Sequence, residues 1–217
     1  MANSLPPLPA ANGDFDAADL GARIRALRVA RGISLRALAG ALGISPSAMS
    51  QIERGLMRPS VSRLFQITAE LGVPLADAFG GAAPGTAPAP SAGGSVPPGA
   101  GASRIDGVLV SRGTNVPELP LGDGVRYRRL SPAPIPGLEV FESTYPPGAG
   151  STRDGEYLTH AGLETGSVIT GTLTIEFPHE RHTLGPGDSI AFPSTTPHRI
   201  ANHGEVPAVA IWTNLHD

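Results

Sequence analysis

A long segment without charge divides this chain of 217 residues into two parts. The residues from Gly80 to Ser103, GGAAPGTAPAPSAGGSVPPGAGAS, are almost all Gly, Ala, Pro and Ser, and Val96 is the single large apolar residue among them. Such a segment cannot bury a core, so residues 80–103 are predicted to be a linker between two domains that are not rigidly docked. Residues 1–19 have no hydrophobic periodicity and are predicted to be a disordered tail.

The composition excludes several classes of protein. The chain has no cysteine, which excludes disulfides, iron–sulfur clusters and zinc sites built from thiolates. Near Met1 there is no basic segment followed by an apolar run, and the chain has no apolar stretch long enough for a membrane span, so a cytoplasmic protein is predicted. All 16 basic residues are arginine, a usage that fits a bacterial genome rich in GC.

Positive charge is concentrated in one segment. Residues 20–72 contain eight arginines against Glu53 and Glu70, a net charge of +6, although the whole chain has a net charge of −3. A compact excess of positive charge is typical of a surface that binds nucleic acid.

Apolar residues recur at helical spacing from Leu20 to Phe79 and predict four or five short helices over residues 20–79. One helix is predicted in detail: Ser45 is its N-cap, Pro46 occupies its first position, and it ends near Arg54. The outer face of this helix is slim and polar, as a helix that enters the major groove requires. A solvated helix of an ordinary bundle is the alternative, and it predicts more glutamate and lysine and no local excess of positive charge.

Three stretches carry a resemblance to a known family: SLRALAGALGIS, SPSAMSQIERG and RPSVSRLFQITAELGVPLADAF. They resemble helix-turn-helix domains of the xenobiotic-response-element (XRE) type, which are related to phage repressors. The resemblance implies that Leu35–Leu42 is the first helix of the helix-turn-helix motif and that Pro46–Arg54 is its recognition helix. It also implies a buried ion pair between Arg28 and Glu53. It departs from the family at Leu35, where many relatives carry glutamine. The residues it implies for DNA binding are Arg36, Ser45, Pro46, Ser47, Ser50, Gln51, Arg54, Arg58 and Ser60.

Residues 104–217 have a different pattern, with short β-rich runs such as LEVFESTY and PAVAIWTN separated by Pro/Gly turns. This spacing of short strands predicts a β-sandwich or small barrel. The stretches THAGLETGSVITGTLTIEF and GPGDSIAFPSTTPHRIAN resemble the two motifs of the cupin family, small β-barrels that hold a metal or a ligand at their mouth. The expected fold is therefore an all-α helix-turn-helix bundle followed by an all-β cupin barrel.

The cupin resemblance implies that His160, Glu164 and His198 are the candidate ligands of one divalent metal ion. Two imidazoles and a carboxylate form a facial triad suited to divalent iron. The chain departs from the family at Leu158, where the first motif normally has another histidine. The alternative is a cupin that keeps the fold and binds no metal.

A pocket beside this triad is predicted from Arg126, Arg128 and Tyr157. Alternation along a strand places the two arginines on one face, and arginine inside a barrel would imply an anionic group on the ligand. The alternative is that this face is outside and solvated. The remaining histidines are predicted to be exposed and not metal ligands: His179, His182, His203 and His216.

Together the two resemblances imply a one-component bacterial transcription regulator, a repressor that binds an inverted-repeat operator as a homodimer and senses a small molecule of unknown identity in its cupin domain. No catalytic residue is predicted. One alternative is a cupin that acts only as a dimerisation module. The other is a metal-dependent enzyme such as a dioxygenase or isomerase, which the missing histidine at Leu158 disfavours.

Overall fold

A computed structural model describes residues 16–79, 102–105, 108–113, 116, 118–152 and 155–216. Most of the predicted tail and linker, residues 1–15 and 80–101, lies outside the described residues. The two-domain fold class is confirmed, with helices before residue 80 and antiparallel strands after residue 101.

The N-terminal domain consists of helices. They are α1 Ala17–Ala30, α2 Leu35–Ala41, α3 Pro46–Glu53, α4 Val61–Leu71 and a 3₁₀ helix Leu75–Phe79. The first helix begins earlier than the predicted boundary at Leu20, because Asp16 is its N-cap and Asp19 completes a capping box. Residues 16–19 were assigned to the tail because they show no apolar periodicity, although they contain this cap.

Serine caps fix the starts of the other helices. Ser34, Ser45 and Ser60 each accept a hydrogen bond from the backbone N–H three residues later. Helices α1 and α3 then pack with their backbones in contact, since a Cβ atom on Gly21 would lie only 2.4 Å from the carbonyl oxygen of Ile52. This close approach fixes α3 against the bundle and leaves its other face outward.

The C-terminal domain consists of antiparallel strands. They are β1 Ala102–Ile105, β2 Val108–Ser111, β3 Glu118–Pro120, β4 Arg126–Arg129, β5 Leu138–Tyr145, β6 Leu163–Thr170, β7 Leu173–Glu176, β8 Arg181–Leu184, β9 Ser189–Pro193, β10 Arg199–Ala201 and β11 Ala208–Leu215, with a 3₁₀ turn at Gly122–Gly124. Strands β1 and β2 form a separate pair; β1 begins at Ala102, inside the predicted linker.

Two sheets form the barrel. The larger has the order β3-β4-β5-β11-β6-β9 and the smaller the order β10-β7-β8. Residues of β5 and β11 alternate strictly between buried and half-buried positions over most of their length, so one face of the larger sheet is interior. The buried cluster on this side includes Phe141, Tyr145 and Trp212, together with Leu173 and Ile175 of the smaller sheet.

The two domains are in direct contact, and the prediction of loosely docked halves is wrong. Two backbone hydrogen bonds cross the interface between the domains, which is called the seam below. The Ser62 N–H donates to the Ser151 carbonyl (2.9 Å), and the Gly122 N–H donates to the Pro59 carbonyl (2.8 Å). Helix α4 can pack against both domains, because its buried residues lie on more than one of its faces. The apolar spacing of Val61, Leu64, Ile67 and Leu71 shows only the face toward the bundle.

Among the helices of the described residues, none combines the length and hydropathy that a membrane span requires.

Candidate functional site

The residues predicted for DNA binding on α3 and on the segments on either side of it are mostly exposed. Ser47 and Gln51 are exposed on α3, Ser50 is half-buried, and Arg54 is exposed at its C-terminal cap. Pro46, the first residue of α3, is also exposed, and the other exposed residues of the predicted set lie on α2, before α3 or after it: Arg36, Ser45 and Arg58. Of these eight residues, four are therefore slim polar or amide side chains on or beside α3, and three are arginines around it.

Ser60 differs from the other predicted DNA-binding residues. Its side chain is buried, its Oγ caps α4 by accepting from the Arg63 N–H, and it also shares a 3.0 Å hydrogen bond with the Ser62 hydroxyl. A buried capping hydroxyl cannot reach a phosphate, so the structure removes the Ser60 side chain from the DNA-facing set. The resemblance identified the loop but not the direction of this side chain.

The structure places Arg28 and Glu53 in direct contact. Nε and Nη2 of Arg28 donate to the two carboxylate oxygens at 2.5 and 2.9 Å, and Nη1 donates to the Ile33 carbonyl at 2.8 Å. The hydrogen bonds that Arg28 donates to Glu53 raise the pKa of Arg28, so the guanidinium stays charged. This pair joins α1 to the last residue of α3 and fixes the position of α3 from inside the bundle.

In the C-terminal domain, His160, Glu164 and His198 converge. The Nε2 atoms of His160 and His198 lie 3.1 and 3.5 Å from the same oxygen, Oε2 of Glu164, and all three side chains are at most 8% exposed. Within the described residues these three form a group whose candidate ligand atoms are all within 4.8 Å of one another. Leu158, which stands where the family has a further histidine, is buried beside them and pairs with the backbone of His198.

The hydrogen bonds of the two imidazoles show what this group can bind. Nδ1 of His198 lies 2.8 Å from the Thr196 carbonyl, and Nδ1 of His160 lies 3.2 Å from the Ala161 carbonyl. Because a carbonyl oxygen only accepts, each Nδ1 donates its hydrogen, and in the neutral ring Nε2 presents a lone pair toward the Glu164 carboxylate. Burial lowers the pKa of His198, which disfavours its protonated form. A cation bound here would accept lone pairs from both Nε2 atoms and from the Glu164 carboxylate. Histidines whose Nδ1 donates to a backbone carbonyl are the usual arrangement at metal sites.

Further polar groups line the interior around the triad. Asn214 on β11 is in register with Glu164 on β6, it is fully buried, and neither its side-chain oxygen nor its nitrogen has a hydrogen-bond partner. The Ser194 hydroxyl is likewise buried without a partner, and the Ser194 backbone carbonyl accepts from the His160 N–H. The sequence analysis missed both residues, although alternation along PAVAIWTN places Asn214 on the same face as Trp212.

A groove of about 370 Å³ opens beside the triad between the edge strands β8 and β9. Phe177, Leu184, Ile190 and Phe192 give it an apolar lining, with His182 also contributing. The ring centroid of Phe192 lies 4.8 Å from that of His198. The groove therefore offers space for a small molecule within one side chain of the triad.

The structure does not place Arg126 and Arg128 in this interior. Both lie on the outer face of β4: Arg126 is paired loosely with Glu118 at 3.6 Å, and Arg128 donates twice to Glu142 of β5. The interior positions of β4 are held by Tyr127 and Arg129. The alternative of a solvated face is therefore the correct one for these arginines, because period two alone does not show which face is inside.

The other predicted pocket and surface residues lie around the rim. The Tyr157 side chain is exposed, its hydroxyl donates to the Phe177 carbonyl at 3.4 Å, and the Arg199 guanidinium lies 5.5 Å from its ring centroid. His179, His182 and His203 are exposed. His216 is half-buried and closer to the site than predicted, with its ring centroid 6.5 Å from that of His160.

The N-terminal helical domain reaches this site. Phe65 of α4 stacks on His160, with ring centroids 4.7 Å apart and planes inclined by 25°. Beside it, the Ala76 N–H of the 3₁₀ helix donates to Glu139 Oε1 at 2.9 Å, and Arg129 and Glu139 line a cavity of about 10 Å³ together with Leu75 and Phe79. Both domains thus contribute to the surroundings of the triad.

Comparison with known proteins gives the same two-domain division. A family model described as Helix-turn-helix matches residues 24–77, and one described as Cupin domain matches residues 141–214. The chain is 26% identical over 182 residues to the HTH-type transcriptional regulator PuuR of Escherichia coli strain K12, an alignment that covers 84% of this chain and 86% of that protein. PuuR of Shigella flexneri matches to the same extent.

The chain is a DNA-binding regulator that joins an XRE-type helix-turn-helix domain to a cupin domain. A solved structure shares the fold over nearly the whole chain: the crystal structure of an HTH_3 family transcriptional regulator from Vibrio cholerae, with 23% identity, a TM-score of 0.60, and coverage of 93% of this chain and 97% of that one. In this helix-turn-helix and cupin regulator, α3 lies within the part that matches the helix-turn-helix model and the triad lies within the part that matches the cupin model.

Proposed function

We propose that this regulator binds an inverted-repeat operator as a homodimer and that its cupin domain is a sensor that holds one divalent cation together with a small molecule. His160, Glu164 and His198 hold the cation. Bound there, it supplies a Lewis-acidic centre with positions left for oxygen or nitrogen atoms of a ligand. The groove between β8 and β9 admits that ligand.

The observation that carries the sensor proposal is the polar interior around the triad. A barrel that served only for dimerisation would gain nothing from burying Asn214 and Ser194 without partners, because each unpartnered polar group costs about 1–3 kcal/mol. A bound molecule that hydrogen-bonds to the Asn214 amide and the Ser194 hydroxyl offsets this cost. The same groups predict a ligand that has both hydrogen-bond donors and acceptors.

The DNA-binding part of the proposal rests on the direction of α3. Helix α4 faces the barrel, whereas Ser47, Gln51 and Arg58 remain exposed on another side of the domain. DNA and the barrel can therefore be contacted at the same time. A single recognition helix covers too few base pairs for specificity, so two copies related by a two-fold axis are expected to bind two half-sites.

Metal analysis combined with native mass spectrometry tests the sensor proposal. Protein purified without chelator, and again after incubation with Fe²⁺, Co²⁺ or Ni²⁺, is expected to carry one divalent ion per chain. His160→Ala and His198→Ala are expected to lose the ion, and the matched control His182→Ala, an exposed histidine outside the triad, keeps it. A wild-type protein that binds none of these ions contradicts the metal site, and a dimer without any retained mass under all conditions supports a purely structural cupin.

Two further measurements use the same protein samples. Selection of bound sequences from random duplex DNA is expected to enrich an inverted repeat, and the native mass is expected to be that of a dimer on one such duplex. Oxygen consumption by the iron-loaded protein would instead favour the alternative of a metal-dependent enzyme.

A further inference from the structure

The contact between Phe65 and His160 joins the DNA-binding domain to a candidate metal ligand. Phe65 belongs to α4, its side chain is buried at the seam, and its ring lies nearly parallel to the imidazole at a centroid distance of 4.7 Å. Stacked rings at this distance stabilise each other beyond the burial of their area.

The orientation of the His160 ring serves two contacts at once. In the orientation that stacks on Phe65, Nε2 lies 3.1 Å from Glu164 Oε2 and Nδ1 lies 3.2 Å from the Ala161 carbonyl. An imidazole turned away from Phe65 would no longer aim Nε2 at the triad in this way. The geometry for holding a cation and the geometry for docking α4 are therefore the same.

Two hydrogen bonds donated by backbone N–H groups also join the two domains, one before and one after Phe65 in the sequence. The Ser62 N–H donates to the Ser151 carbonyl, one helical turn before Phe65, and the Ala76 N–H donates to the Glu139 carboxylate. Glu139 is in register with Asn214, which is in register with Glu164. The seam and the triad thus share one end of the barrel.

We infer that the cation site is shared between the two domains, with Phe65 as one of its walls, and that a cation on His160 stabilises the docked position of α4. This inference rests on the proposed metal site. A cation bound to Nε2 fixes the ring in the orientation that Phe65 contacts, and it withdraws electron density from the imidazole, which favours stacking on the electron-rich face of Phe65. By linkage, docking must raise the affinity for the cation by the same factor.

The consequence for DNA follows from the packing of α4 inside the bundle. Nη1 of Arg63, two residues before Phe65, donates to the Leu42 carbonyl at the end of α2, so α4 moves with the helix-turn-helix. In a dimer, the position of each bundle on its barrel sets the separation of the two α3 helices. Occupancy of His160 is thereby converted into a change in affinity for a two-half-site operator.

The test uses full-length protein, Ni²⁺ as the probe and Phe65→Leu as the variant, which keeps an apolar side chain and removes the ring. Hydrogen exchange of the Ser62 and Ala76 amides reports docking, and titration calorimetry reports the affinity for Ni²⁺. In the wild type, Ni²⁺ is expected to slow the exchange of both amides. In Phe65→Leu the affinity for Ni²⁺ is expected to fall about two- to tenfold, and the effect of Ni²⁺ on the two amides is lost.

Phe192→Leu is the matched control, because Phe192 packs on His198 of the same triad but belongs to the barrel. Its Ser62 and Ala76 amides are expected to keep their response to Ni²⁺. If Phe65→Leu binds Ni²⁺ with wild-type affinity and keeps the full response, the shared site is refuted even though the metal site stands.

If the wild-type protein binds no Ni²⁺, the proposed metal site is refuted. The contact between Phe65 and His160 is then tested without metal. In a double-mutant cycle of Phe65→Leu and His160→Ala, exchange of the Ser62 and Ala76 amides is expected to show a coupling of about two- to tenfold. Such coupling supports a docking contact that passes through His160, whereas purely additive effects overturn it.

Discussion

Arg28 and Glu53 form a buried ion pair with two parallel hydrogen bonds, which ties α1 to the C-terminal end of α3. Glu53→Gln keeps the shape of the side chain and leaves the Arg28 charge buried without its partner. We expect a loss of about 3 kcal/mol in the free energy of unfolding, measured with urea, because breaking one side of a buried pair leaves an uncompensated charge.

An exposed pair provides the control for this prediction. Glu118 and Arg126 are 3.6 Å apart and largely solvated, so Glu118→Gln is expected to change stability by less than about 1 kcal/mol. Equal losses in the two variants would mean that the buried pair contributes no more than a surface contact.

Two glycines give opposite predictions for the same substitution. A Cβ atom on Gly166 of β6 would lie 2.3 Å from the Trp212 ring, which is fully buried on the neighbouring strand. Gly166→Ala must displace this ring and is expected to cost about 2–3 kcal/mol, as overpacking in a core does. Thermal unfolding measures the loss.

Gly40→Ala is the corresponding helix substitution. Nothing lies within 4 Å of a Cβ atom at Gly40, which sits inside α2 with ordinary helical geometry. The substitution is expected to stabilise the protein by about 0.5–1 kcal/mol, because alanine loses less backbone entropy than glycine in a helix. A destabilised Gly40→Ala protein would show that α2 needs flexibility at this point.

The sequence predicted the local structure of the DNA-binding domain closely, and the reason is that its signals are local. Caps such as Ser45 and Pro46 and the helical apolar spacing lie within one or two turns of the element that they define. The predicted recognition helix was expected to span Pro46–Arg54, and α3 spans Pro46–Glu53.

The seam and the interior of the barrel could not be predicted in the same way. Phe65 and His160 are far apart in sequence, and neither carries a local pattern that points to the other. Similarly, alternation placed Arg126 and Arg128 on one face but did not show which face was inside, because that depends on how β4 pairs with β5. For Asn214, the alternation along its strand placed it on the same face as Trp212, but nothing in the sequence marked this asparagine as part of a site.

Gln51 and Arg58 are expected to contribute differently to DNA binding. Gln51 is exposed on α3, where an amide can read a base edge, and Arg58 is exposed in the loop that follows, where a guanidinium can reach a phosphate. Gln51→Ala is expected to reduce the preference for the selected operator over random DNA. Arg58→Ala is expected to weaken binding to both and to lower the salt slope by about one.

Fluorescence anisotropy at several salt concentrations, on operator and random duplexes, measures both effects. Arg126→Ala is the control for loss of a positive charge, because Arg126 is exposed on the cupin domain rather than on the helix-turn-helix domain. Equal loss of Gln51→Ala on the two duplexes would remove Gln51 from the base-reading set.

Glu176 at the end of β7 predicts a specific pH dependence. Its carboxylate accepts hydrogen bonds from His203 and from Arg199 of the neighbouring strand β10, and these contacts hold the pKa of Glu176 below its ordinary value of 4.5. A lowered pKa means that the folded protein favours the carboxylate more than the unfolded chain does. The stabilisation is therefore fully present above about pH 4.5 and is lost as the pH falls through the folded pKa.

Glu176→Gln is expected to lower the free energy of unfolding by about 1 kcal/mol at pH 7, since hydrogen bonds to a charged group at a partly solvated site are of this order. As the pH falls through the folded pKa of Glu176, the variant and the wild type should converge, because the wild-type carboxylate is then losing its charge. Urea unfolding across this range measures the difference, and Glu205→Gln, an exposed carboxylate in the nearby turn, provides the baseline. A constant difference between Glu176→Gln and wild type from pH 7 to pH 3 would mean that packing of the side chain, and not its charge, links β7 to β10.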